Sequence, residues 1–187
     1  MIFFTADTHF NHKNVIRHCG RPFADLEEMT EQLIANWNET VRVGDTIYHL
    51  GDFALSFGKK HEKVIDDVLQ RLHGRKILIC GNHDRKEVKQ NPRWNDVHDY
   101  LELKLDLGGV HKQRIILFHY GMRVWNQRHR GSWHLYGHSH GTLPDIGGKC
   151  KDVGVDCNDY RPLSLFEIQT FMSSRESIPV DHHGAEN

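Results

Sequence analysis

Apolar residues fall into two kinds of pattern along this chain, and the change from one to the other divides it roughly in half. In the first half, short apolar runs alternate with amphipathic stretches. Ile2 to Ala6 reads as a buried strand that opens into the polar segment Asp7-Thr8-His9-Phe10-Asn11-His12. Asp25 with Glu28 predicts a capping box, and Leu26, Met29, Leu33, Ile34 and Trp37 then mark a helix from about Leu26 to Asn38. Thr46 to Leu50 is a second strand, ending at Gly51-Asp52. Glu62 to Leu72 predicts a second helix, with Val64, Ile65, Val68, Leu69 and Leu72 on one face and Gly74 at the C-terminal cap. Arg75 to Cys80 is a third strand, and it runs into Gly81-Asn82-His83-Asp84. This alternation is that of crossover units on a largely parallel sheet, which bind ligands at the carboxyl ends of the strands.

The second half is built differently. Leu101, Leu103, Leu105 and Leu107 alternate with Glu102, Lys104 and Asp106, and Gly108-Gly109 turns the chain into Val110 to His119. That is a β-hairpin. Short strands around Trp133 to Tyr136 and Lys151 to Val155 extend this second sheet, and Ser164 with Glu167 caps a last helix. The expected fold is α/β, with two mixed sheets packed face to face and helices outside, a four-layer αββα sandwich. Periodicity stops near Ser173, so residues 1–172 read as one domain and 173–187 as a flexible tail in which His182-His183 is solvated.

Composition narrows the function. A chain of 187 residues is long enough for one well-buried core and short for two. No apolar run approaches the ~18 residues of a membrane span, and Met1-Ile2-Phe3-Phe4 meets polar Asp7 and His9 at once, so a cytoplasmic protein without a membrane partner is expected. Cys19, Cys80, Cys150 and Cys157 form neither a disulfide framework nor a CxxC pattern. A formal net charge of −1 counts against long nucleic acid as a partner and favours a small phosphorylated substrate. The 16 histidines would give about one His-x-His pair by chance. Their positions matter more than their number.

Five polar clusters close five of the expected strands: Asp7-x-His9, Gly51-Asp52, Gly81-Asn82-His83-Asp84, His119 and His138-x-His140. In extended backbone, residues i and i+2 point the same way, so Asp7 with His9, and His138 with His140, can each aim two donors at one ion. Carboxylates and neutral imidazoles without thiolates suit an open site for manganese, iron or zinc. Gly44-Asp45 precedes its strand and reads as a lead-in turn, whereas Gly51-Asp52 follows it, so Asp52 rather than Asp45 is the expected ligand.

On these blocks the chain resembles the calcineurin-like metallophosphoesterases, in particular a small single-domain member of the bacterial and phage type. Asp7-Thr8-His9, Gly51-Asp52, Gly81-Asn82-His83-Asp84, His119 and Gly137-His138-Ser139-His140 look like the family's five motifs, in order, across about Ile2 to Ile168. The resemblance implies two divalent cations, with manganese expected and iron, zinc, nickel or magnesium as alternatives. Asp7, His9, Asp52 and His140 would hold one, and Asp52, Asn82, His119 and His138 the other, with Asp52 bridging. It also implies the fold of two packed mixed sheets that the strand pattern suggested.

The expected reaction is hydrolysis of a small phosphate diester, nucleotide-like or otherwise, by a metal-bound hydroxide, with a phosphomonoesterase on the same machinery as the alternative. His83 follows the ligand Asn82 but points the other way, toward substrate, where an imidazole suits proton donation to the leaving oxygen, and Asp84 would orient that ring. Gly81 and Gly137 would permit tight turns at the ligands. Between His119 and Gly137, Arg123 and Arg128 could clamp a phosphate with Trp125 stacked on a base, or the loop could be a solvated basic one with its tryptophans in the core. Sequence leaves these two readings open. A metal-stabilised scaffold for protein binding is the non-enzymatic alternative, and the presence of His83 counts against it. A Ser-His-Asp hydrolase needs a serine at a strand-to-helix elbow, which is not expected here.

Overall fold

The computed structural model describes residues 1–145, 147–177 and 180–181. The expected tail, including His182-His183, lies largely outside them. The described chain runs β1 (Ile2–Thr5), α1 (Lys13–His18), α2 (Leu26–Thr40), β2 (Thr46–His49), α3 (Glu62–Arg71), β3 (Arg75–Ile79), α4 (Lys86–Lys89), β4 (Asp96–His98), β5 (Leu101–Leu105), β6 (Gln113–Leu117), β7 (Trp133–Tyr136), β8 (Cys150–Asp152), β9 (Leu163–Ser164) and α5 (Leu165–Ser173). One sheet has the order β4-β3-β2-β1-β9, with β1 to β4 parallel and β9 antiparallel at the edge of β1. The other runs β5-β6-β7-β8. Its first pair is the expected hairpin, and β7 and β8 then lie parallel to β6.

Because side chains alternate across a pleated strand, β1, β2 and β3 of the first sheet each supply two cores. Phe3, Ile47 and Leu78 face a helical layer that includes Met29, Leu33 and Trp37 of α2 and Ile65 and Leu69 of α3. Phe4, Tyr48, Ile77 and Ile79 face the second sheet through Ile115, Leu117, Trp133 and Leu135, joined by Ile168 and Met172 of α5. Each such large apolar side chain contributes about 1.5–3 kcal/mol on full burial. The two mixed sheets flanked by helices thus follow from the alternation of apolar residues. On the outer side of the second sheet, Ile116 and Tyr136 are covered by Trp125 and Met122 from the β6–β7 connection.

Local signals were realised with small differences. Asp25 Oδ1 accepts the Glu28 N–H at 2.9 Å, but Glu28 reaches back to the Ala24 N–H at 2.6 Å rather than closing the expected box. Ser164 and Glu167 do form a complete capping box on α5. Val64 is 42 % exposed, at the rim of the α3 face that buries Ile65, Val68 and Leu69. After α5, Arg175 Nε donates to the Gly148 carbonyl at 2.6 Å and Ser177 Oγ to the Arg128 carbonyl at 2.9 Å.

Candidate metal centre

All five polar clusters meet above the carboxyl ends of β1, β2, β3, β6 and β7. Asp7, His9 and His140 place one donor atom each within 4.8 Å of one another, and so do Asp52, His119 and His138. The grouping corrects the expectation that His138 and His140 serve one ion through alternation in a strand. Asp7, His9, Asp52, His138 and His140 all have left-handed backbone, with φ between 48° and 67°. Non-glycine residues adopt that conformation at a cost and only when their surroundings impose it. Here the Asp7 N–H is held by the Gly51 carbonyl and the His9 N–H by the Asp52 carbonyl, both at 3.0 Å. The pairs converge through these turns, and His138 and His140 part to different groups.

Close approach sets the rest of the geometry. Neither Gly81 nor Gly137 has a positive φ, so their role is not the tight turn expected. A Cβ at Gly81 would lie 2.3 Å from Asp52 Oδ1, and one at Gly137 would lie 2.6 Å from Asp7 Oδ2. Asp52 Oδ1 accepts the His83 N–H at 2.8 Å. Its Oδ2 lies 3.6 Å from His9 Nε2 and 3.5 Å from His119 Nε2, so this one oxygen stands between the two donor groups. Asn82 Oδ1 is 3.2 Å from His119 Nε2, which adds a carbonyl donor to the second group.

Supporting contacts fix which ring nitrogen each histidine offers. His119 Nδ1 is 2.7 Å from the Leu50 carbonyl, so it carries the proton there and leaves Nε2 toward Asp52. His140 Nδ1 is 2.6 Å from Asp156 Oδ2, which leaves its Nε2 for the first group. Asp156 in turn takes a two-pronged bond from Arg21, at 2.7 and 2.8 Å. The same guanidinium donates to the Thr8 and Asp7 carbonyls at 2.9 and 2.7 Å, clamping the loop after β1. Cys19, His140 and Asp156 also lie close enough to hold an ion, but Arg21 already supplies the positive charge there.

The donors fit divalent cations. His9 Nε2 is buried without a hydrogen-bond partner, which is costly for an imidazole nitrogen unless a ligand takes it. Burial pushes the Asp7 carboxyl up to about 8, outweighing the pull of His119 and His140, so the protein alone does not accommodate its charge. Burial likewise lowers His9 well below the usual imidazole range and keeps it neutral. At Asp52, hydrogen bonding and attraction from His119 with the His83 N–H prevail over burial and hold the carboxyl below its ordinary range. Carboxylates and imidazoles in two adjoining groups suit manganese, iron or zinc.

Other expected site residues are placed differently. Asp84 does not orient His83: its carboxylate accepts the N–H groups of Asp52, Phe53 and Gly81, each at 2.8 Å, and so ties the β2 loop to the β3 loop. The His83 ring instead stands edge-on to His9, with centroids 5.3 Å apart. Trp125 is buried and donates its indole N–H to the Ser132 carbonyl, while Arg128 stacks over it at 4.4 Å and donates to the Arg123 carbonyl. Both are built into the covering of the outer face of the second sheet. Arg123 is exposed, beside Gly121 and Leu143. Gly137-His138-Ser139-His140-Gly141 also spells a Gly-x-Ser-x-Gly sequence, but among the described residues no α-helix follows β7 until α5, so Ser139 is not on a strand-to-helix elbow.

A family model described as calcineurin-like phosphoesterase matches residues 1–163. The chain belongs to that family. Among relatives of this calcineurin-like phosphoesterase is the uncharacterized protein MJ1445 of Methanocaldococcus jannaschii, 36 % identical over 170 residues that cover 88 % of this chain and 86 % of the relative. The Gene 66 protein of Mycobacterium phage D29 is 30 % identical over 165 residues, covering 76 % and 79 %. The crystal structure of AQ665, a protein of unknown function from Aquifex aeolicus, superimposes with a TM-score of 0.69 at 27 % identity over 91 % of this chain and 98 % of that one. The calcineurin-like phosphoesterase family implies divalent metal ions, and both donor groups lie in the matched region.

Proposed function

We propose that this calcineurin-like phosphoesterase is a dinuclear phosphodiesterase acting on a nucleotide-like or other small phosphate diester. The observation that carries the reading is the single oxygen of Asp52 set between the His9 and His119 rings, at 3.6 and 3.5 Å. Asp7, His9, Asp52 and His140 would hold one cation, and Asp52, Asn82, His119 and His138 the other, with manganese the first choice. When bound, such a pair lowers the pKa of coordinated water and neutralises charge on the phosphoryl oxygens. The chain's own residues do the remaining work. His83, fixed through its N–H on Asp52, presents a half-buried ring beside the donors and would deliver a proton to the leaving oxygen. Asp84 keeps His83 and Asp52 in register through the backbone.

The four cysteines are free thiols, which supports a reducing, cytoplasmic setting. Among the described residues no helix is long and apolar enough to cross a membrane. Stripping the protein of metal and assaying a p-nitrophenyl diester beside the matching monoester, with and without Mn²⁺, tests the proposal. Turnover restored by Mn²⁺ and favouring the diester is expected. A preference for the monoester would make the protein a phosphatase, and no turnover with Mn²⁺ demonstrably bound would favour the scaffold.

A further inference from the structure

Two recesses open beside the donor groups and share no lining residue. One, of about 650 Å³, is bordered by His138, His140 and His18 and otherwise by small or apolar groups such as Thr142, Leu143 and Pro144. The other, of about 500 Å³, is bordered by His83 and His12 and then by Lys13, Phe57 and Arg85. Among the described residues only the second is lined by permanently charged groups, both of them positive, with no Asp or Glu beside them. By contrast, the charged groove along α3 and α4 balances Lys59, Lys63 and Lys86 with Glu62, Asp66 and Glu87.

Phe57 is 57 % exposed beside this polar site. Its loop is tied down on both sides. The Asn11 amide donates to the Leu55 carbonyl at 3.0 Å, buried Ser56 Oγ lies 3.1 Å from Glu87 Oε2, and the Phe57 N–H donates to His61 Nδ1 at 2.9 Å. The ring is therefore presented and not merely left outside. The Arg85 guanidinium lies over it at 5.4 Å, and neither Arg85 nor Lys13 forms an ion pair among the described residues. A flat apolar face with an arginine upon it, flanked by a second cation, is the chemistry that receives a nucleobase and a further phosphate. His12 and His83 connect this recess to the centre, their rings 5.3 Å from that of His9.

From this geometry we infer that the Lys13–Phe57–Arg85 recess is a specificity subsite for a nucleoside phosphate, holding the ring on Phe57 and a second phosphate at Lys13 and Arg85 while the first phosphate sits at the donor groups. The inference rests on the phosphoesterase reading of the centre and names its substrate class.

Calorimetric titration of the Mn²⁺-loaded protein with adenosine 3′,5′-bisphosphate and, separately, inorganic phosphate tests it without turnover. The bisphosphate is expected to bind about tenfold or more tightly than phosphate. Phe57→Ala and Arg85→Gln should each remove most of that advantage, and Phe57→Trp should restore it. Equal affinity for the two ligands in the unaltered protein, or an advantage that survives both substitutions, overturns the subsite while phosphate binding still supports the centre. Failure of phosphate to bind to protein that retains its Mn²⁺ overturns the reading of the centre and the subsite with it.

Discussion

Gly44-Asp45 and Gly51-Asp52 are the same dipeptide at the two ends of β2, in opposite surroundings. At the amino end, Asp45 accepts the Met1 ammonium and the Arg42 N–H, and that hydrogen bonding holds its carboxyl below the ordinary range. At the carboxyl end, Asp52 spends one oxygen on the His83 N–H and turns the other to two imidazole nitrogens at 3.5 and 3.6 Å. One carboxylate is satisfied by the chain, and the other is arranged for something the chain does not supply. The difference comes from strand direction, since in a parallel sheet the loops after the strands converge while those before them do not share one crevice.

The sharpest way to break the comparison is to substitute both aspartates. Asp52→Asn removes the oxygen between the donor groups. Metal content per chain and diester turnover should both fall, turnover by more than the ~10²-fold that the loss of a mere supporting partner can cost. Asp45→Asn should leave both intact and lower the melting temperature slightly. If elemental analysis and kinetics found the two variants equally damaged, the distinction between the two ends would be lost. Next in size is His83→Ala, which should reduce turnover by roughly 10²-fold with metal content unchanged. Undiminished turnover would remove His83 from proton donation.

A subtler version concerns residues that support ligands rather than act as them. Asp156→Asn deprives His140 of its carboxylate partner and Arg21 of its ion pair. Metal affinity is expected to weaken by about 10- to 100-fold, measured by competition with a chelator, whereas the turnover of fully loaded protein should change less. Unaltered affinity would show that His140 is oriented by the fold alone.

That support was only partly legible beforehand. Most strands, both main helices and the hairpin could be read because each buries a regular set of apolar residues, and α1, α4, β4 and β9 could not because each has at most two apolar residues and so no period. All seven proposed ligands lie in the clusters at strand ends, and the choice of Asn82 and His119 among them is what the family resemblance implies. The same rule points to Asp156, just beyond the strand expected to end at Val155, yet nothing local marks Arg21, whose side-chain partners lie 8 to 135 residues away. Asp84 was misjudged for a related reason. Its neighbour in sequence is His83, but a buried carboxylate next to a glycine loop finds backbone N–H groups first. Trp125 and Arg128 look alike in sequence whether they face a ligand or a sheet, and only the outer core of the second sheet decides between the two.

The last expected effect is on stability and not on the centre, and concerns histidines that are not ligands, which sharpen the contrast between donors held open and polar groups held closed. His134 is buried on β7, its Nδ1 3.2 Å from the Ile116 carbonyl and its Nε2 accepting the Met122 N–H at 3.1 Å. Burial pushes this imidazole down to about 4, against the Ile116 and Tyr120 carbonyls, which favour the protonated ring. Burial also pushes His49, whose Nε2 lies 2.9 Å from Thr8 Oγ1, down to about 3. In the unfolded chain both titrate near 6.5 and so bind protons that the folded state refuses. Stability is therefore fully present above about pH 6.5 and declines as the pH falls toward 4, by about 3 kcal/mol from His134 alone at the bottom of that window. In metal-free protein, the urea midpoint of His134→Asn should start below that of the unaltered chain at pH 7.5 and approach it by pH 5, because the variant has no such proton to exclude. Parallel curves would mean that His134 carries its proton in the folded state.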